Sequence, residues 1–251
     1  MAIAYQAIGT FRIRPNPGGA DGTTLVLTEP AGTTTDDLLV ACISYRGDTR
    51  IPAIPSGWTI VNRTVTTPNT LGTNAGAIGG GLMAYIKRGS SALTTEQLTF
   101  GNVLDTGDFF DEAIGVIIRI TGQDLVDPLA GTSVNTLATS ATQATTGAFT
   151  RSFTTDTPND YIEVMMCIGA QEVTWSTQQY TTGLTNFTER GLDTTSTNWS
   201  DGSLTIATGT GGNITGGFRA TASASRRNSL LVASFGGPRP AVTARSFSIL
   251  I

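Results

Sequence analysis

The sequence predicts an all-β protein built as an antiparallel sandwich, and three observations carry that prediction. Of 251 residues, 44 are Thr and 30 are Gly, while Lys occurs once, at Lys87, so β-branched residues and turn formers displace the long side chains that favour helices. Apolar residues recur with a period of two in many short runs, and no segment carries a helical pattern. Turn formers stand between the runs: Asn-Pro-Gly-Gly at 16–19, Pro-Ala-Gly at 30–32, Pro-Ser-Gly at 55–57, Thr-Pro-Asn-Asp at 157–160 and Gly-Thr-Gly-Gly-Asn at 209–213.

In chain order the pattern places strands at 4–8, 24–28, 38–45, 58–66, 81–87, 96–100 and 113–121, then at 147–154, 160–169, 185–190, 203–208, 216–222, 229–235 and 244–250. Strand 38–45 is apolar on both faces: Leu39, Ala41 and Ile43 point one way, and Leu38, Val40 and Cys42 point the other. Such a strand belongs in the middle of a sheet covered on both sides. Ile114, Val116, Ile118 and Ile120, backed by Ile117, ask for the same place, as do Leu230, Leu231, Val232 and Phe235. These three segments are the expected core.

Residues 1–23 read as an N-terminal arm or edge strand, and residues 24–251 as a single β-sandwich, a length one such domain can reach. A weak internal repeat runs through that domain, with halves of about 24–122 and 147–237. TTTDDLLVACISY is echoed by TDTPNDYIEVMMC, and Asp37 and Asp160 head the two buried strands, 160 − 37 = 123 residues apart. An aspartate in that position bonds backbone amides of the preceding turn. The echo is either an old duplication or two sheets obeying one pattern.

Composition removes whole classes of chemistry. With no histidine there is no Ser-His-Asp triad and no His-ligated zinc. Thirteen Asp and six Glu leave a carboxylate pair possible in principle, but no motif pairs any two of them. The net charge of −4 and the scattered Arg residues leave no nucleic-acid footprint. No run is long and apolar enough for a membrane helix, and the N-terminus lacks a secretory pattern, so synthesis in a cytoplasm as a soluble protein is expected. Cys42 and Cys167 sit inside apolar strand patterns, which suits buried thiols better than a disulfide. The Gly-rich runs at 77–81 and 209–212 precede no helix, so they read as hairpin loops and not as phosphate cradles. No cofactor is expected.

The remaining candidates are binding residues. Asp105, Asp108, Asp111 and Glu112 crowd one loop, which is either a calcium site of irregular spacing or a solvated approach to the next strand. Trp175, Tyr180 and Trp199 fall in Ser/Thr/Asn-rich segments, where they serve either as loop anchors and subunit contacts or as a platform for stacking sugars. Phe11, Arg12, Ile13 and Arg14 alternate as an edge-pairing strand would, and Ile249, Leu250 and Ile251 form an apolar end. Both segments either contact other subunits or close the chain's own sheets.

The succession DDLLVACISYRG, PSGWT, LMAYIKRGSSA with EQLTF, IGVIIRITGQDLVDPL, NDYIEVMMC and SLLVASFGG resembles a pattern that recurs in phage and prophage virion proteins, over roughly residues 24–237. It departs from that pattern at RITGQD, residues 119–124, and at EVMM, residues 163–166. The resemblance implies a jelly-roll-like β-sandwich on a virion surface: a capsid decoration (cement) protein, or a head or tail fibre component. It further implies a homo-oligomer, a trimer by that analogy, whose partners are the major capsid protein or other virion proteins. The expected function is non-enzymatic stabilisation of the shell. The alternative is a tail or fibre module that binds a host receptor or glycan.

Overall fold

A strand with apolar side chains on both faces has to be covered twice, and the fold meets that demand by stacking four sheets. The computed structural model describes residues 2–14, 24–47, 54–65, 78–87, 99–101, 110–136, 141–146, 161–169, 174–180, 187–193, 203–210, 218–226 and 228–238. In the first half the strands are Ala4–Ile8 (β1), Arg12–Arg14 (β2), Thr24–Val26 (β3), Leu38–Gly47 (β4), Thr59–Val65 (β5), Ile78–Lys87 (β6), Thr99–Gly101 (β7) and Phe110–Thr121 (β8). In the second half they are Leu129–Thr136 (β9), Ala141–Thr146 (β10), Tyr161–Gly169 (β11), Trp175–Tyr180 (β12), Thr188–Asp193 (β13), Ser203–Thr210 (β14), Phe218–Arg226 (β15) and Asn228–Gly236 (β16). All the pairings among them are antiparallel.

Each half contributes one large sheet and one small one. The first large sheet has the order β1-β8-β4-β6-β5, with β2 also on β8, and β3-β7 forms its cover. The second has the order β13-β14-β11-β16-β9, and β10-β15-β12 forms its cover. The large sheets lie face to face. Leu38, Val40, Cys42, Val116 and Ile118 from the first pack there against Val164, Met166, Ile206 and Leu231 from the second. On the outer face of the first large sheet, Leu39, Ala41, Ile43 and Ile117 meet Leu25, Leu27 and Trp58. On the outer face of the second, Met165, Cys167, Leu230 and Val232 meet Trp175, Phe218 and Ala220. A large sheet with its cover is therefore present twice, back to back, in an all-β antiparallel fold consistent with the expected sandwich.

Local chemistry explains the joints. Trp58 is 6% exposed and plugs the first outer core from a turn in which its amide donates to the Pro55 carbonyl (3.3 Å). That turn needs a positive φ at its third residue, and Gly57 supplies it (87°). Close approach of the two large sheets depends on Gly81, where a Cβ would fall 2.1 Å from Ile168 Cδ1 and 2.5 Å from Met166 Cε. A chain of bonds then fixes the segment between the halves. The Asp124 amide donates to the Gly236 carbonyl and the Gly236 amide to the Pro128 carbonyl, both at 2.8 Å. Asp124 Oδ1 also accepts from the amides of Val126 (2.8 Å) and Asp127 (2.9 Å), a turn closed by its own side chain.

The strand order divides the described residues into halves that begin at β1 and β9, other bounds than 24–122 and 147–237, and the register read from the sequence does not carry over. Leu38, Val40 and Cys42 share the central core with Ile162, Val164 and Met166, so equivalent positions are an even number of residues apart. Matching Asp37 to Asp160, 160 − 37 = 123 residues away, would turn every side chain of one strand to the wrong face.

Candidate functional site

The strongest polar site among the described residues lies at the head of β4. Asp37 is 4% exposed, and its Oδ2 accepts from the Thr34 amide (2.6 Å) and the Thr34 hydroxyl (3.1 Å), the role expected of it. The same oxygen meets Arg119 Nε of β8 at 2.7 Å, with side-chain exposures of 18% and 6% for Arg119 and Asp37. Asp36 beside it has φ 68°, and its carbonyl accepts from Gln123 Nε2. Sequence reasoning missed Arg119, 82 residues from its partner. The available signal was a lone cation interrupting Ile117, Ile118 and Ile120 on an otherwise apolar strand.

A second polar contact is internal to the second half. Glu163 and Ser234 are both 0% exposed, and Ser234 Oγ donates to Glu163 Oε1 at 3.0 Å. Glu163 stands on the outward face of β11, beside Met165 and Cys167. These carboxylates hold strands and turns together.

The N-terminal candidates join the chain's own architecture. Arg12, Ile13 and Arg14 pair through their backbone with Gly115, Ile114 and Ala113 of β8. Phe11 packs against the central core, and with Ile8 it fills the space over Gly191 of the second half. Nearby, the Arg190 guanidinium sits 4.1 Å over the Tyr5 ring while its Nε donates to Thr208 Oγ1 at 2.7 Å. Burial pushes the Tyr5 hydroxyl up, against the opposing pull of the Arg190 charge. Segment 3–11 is thus a strap between the halves. Ile249, Leu250 and Ile251 lie outside the described residues.

Trp175 is corrected as a sugar-stacking residue. It is 4% exposed and packs in the outer core with Phe187 and Phe218, so it offers no ring face to a ligand. Its Nε1 is buried without a hydrogen-bond partner. Tyr180 ends β12 opposite Phe218, and Trp199 lies outside the described residues. Asp105 and Asp108 also lie outside them, and Asp111 and Glu112 are placed only through their backbone in β8. Among the described residues no group of three or more His, Cys, Asp or Glu is placed to hold a metal ion.

Cys42 and Cys167 are free and buried, in different layers: one faces the central core, the other the second outer core. Burial pushes both thiols up, and the charge of Glu189 adds to the rise at Cys167.

No protein-family model, no curated protein and no solved structure matches the chain.

Proposed function

We propose that the protein is a non-enzymatic virion structural protein, a capsid decoration protein that binds the assembled shell and stabilises it. The observation that carries this reading is where the residues resembling virion proteins fall. LLVACISYRG forms β4, Pro55-Ser56-Gly57-Trp58 forms the turn that plugs the first outer core, and SLLVASFG forms most of β16. The shared pattern is therefore a folding pattern. A chain that devotes its clearest motifs to rigid stacked sheets is suited to holding neighbours in place.

The finer reading of the fold belongs with this proposal. Taken in chain order within the second half, first to eighth, the strands interleave as first-eighth-third-sixth in the large sheet and second-seventh-fourth in its cover. The fifth strand, β13, extends the large sheet, and the Phe187 amide just before it reaches back to the Gln178 carbonyl of the fourth at 2.7 Å. This interleaving supports a jelly-roll-like double Greek key.

The mechanism is linkage. A protein that contacts neighbouring shell subunits only in their assembled arrangement lowers the free energy of that arrangement by its binding free energy. The test is shell dissociation by heat or chelator with and without the protein, together with imaging of labelled particles. A raised dissociation temperature and density on the shell support decoration. Density confined to the tail supports the host-binding alternative, and an unchanged dissociation temperature removes the stabilising role.

A further inference from the structure

We infer that the two halves are modules that recognise each other, so that the inner face of each large sheet is a docking surface whose fitting partner is a sheet of the same strand order turned over. The spatial orders run alike, β1-β8-β4-β6-β5 in the first half and β9-β16-β11-β14-β13 in the second, once β2 on β8 and β12 on β15 are set aside as additions, the middle strand being the fourth of its half in one and the third in the other. The remaining cover strands correspond, with β3 on β7 in one and β10 on β15 in the other. The contacts across the central core exchange under the same correspondence. β6 meets β16 and β8 meets β14. β4 meets β14, while Gly81 of β6 meets Met166 and Ile168 of β11. β5 meets β9, while Tyr5 of β1 meets Arg190 of β13. Most of these contacts have a counterpart obtained by swapping the halves, as an approximately isologous, two-fold interface would give, while β5 against β16 has none of similar extent. The chain is a dimer of modules closed by its own linker, and the apolar central core holds it shut.

The linker is then dispensable for association. Val126 is 94% exposed, at the tip of the turn capped by Asp124, so a protease recognition sequence fits between Val126 and Asp127 of the full chain. After cutting, the two pieces are expected to co-elute at the mass of the intact protein and to keep its far-ultraviolet sheet spectrum. The urea midpoint of the uncut protein stays fixed through a dilution series, while that of the cut protein falls with each dilution, because unfolding then separates two molecules. Three results overturn the inference: native pieces that part on the column, sheet structure lost on cutting, or an insertion that by itself prevents folding. The last counts because added length between true modules costs little entropy.

Discussion

Trp175 shows how a residue's surroundings change its meaning. A tryptophan among Ser, Thr and Gln reads as a surface residue, yet its ring fills the space between a large sheet and its cover. The indole N–H finds no partner there, so the ring's value is its volume. Trp175→Phe is expected to cost about 1 kcal/mol or less in urea unfolding, and Trp175→Ala about 3–5 kcal/mol from the cavity it leaves. A Trp175→Phe loss well above that figure would show that the N–H is bonded after all. The thiols make a prediction about pH. The folded chain holds the Cys42 and Cys167 protons beyond the ordinary thiol value of 9.0, whereas the unfolded chain releases them there. Their contribution is therefore fully present below about pH 9 and is lost as the pH climbs past that point. Tyr5 and Tyr85, both pushed up by burial from 10.0, act in the same direction at higher pH. Urea midpoints measured from pH 7 to about 10 should fall at the alkaline end, and less steeply in a Cys42→Ala/Cys167→Ala variant. An unchanged slope in that variant would remove the thiols as the cause.

At the level of elements, the two large sheets approach each other tightly over Gly81. Gly81→Ala puts a methyl where Ile168 Cδ1 and Met166 Cε now sit, and is expected to lower stability by about 1–3 kcal/mol. Because the clashing atoms are side-chain ends, Ile168→Val in the same molecule should recover part of the loss, read as coupling in a double-mutant cycle. Simple additivity would mean that the sheets part by a backbone shift instead. The elements also divide by legibility. β4, β8, β11 and β16 could be read from the sequence because both their faces are apolar, and that pattern has one explanation, a covered central strand. β9 (LAGTSVNT), β10 (ATQATT) and β12 (WSTQQY) were not expected, because edge and cover strands rich in Thr, Ser and Gln show no apolar alternation to read. β2 is only three residues long and was seen as alternation without a place. The strands expected at 147–154 and 244–250 lie outside the described residues. The site was less legible than the fold: Asp37 announced its turn, but nothing local announces an ion pair to a residue 82 positions away.

For the whole molecule, alternation is reason to expect a sandwich, but it says only that a face is buried and is silent on what buries it. Four layers follow from the pairing of two large sheets, each of which is itself covered. That shared central core predicts one cooperative transition. Trp58 reports on the first outer core and Trp175 on the second. Fluorescence of a Trp175→Phe/Trp199→Phe protein and of a Trp58→Phe/Trp199→Phe protein, each compared with circular dichroism of the same sample, should give coincident unfolding curves for ring and backbone. Displaced curves in either protein would mean that its two halves come apart in sequence. The strand order has a further result, for synthesis. β8 and β16, the last strands of their halves, are both interior strands, β16 standing between β11 and β9. While the chain is still emerging from the ribosome, the first half can close once β8 is out. The second must wait for β16, its two waiting strands a strand's width apart with backbone amides and carbonyls open to any passing edge. Nascent or prematurely terminated chains that stop short of β16 are thus the form that aggregates, and the emergence of β16 is itself a folding step.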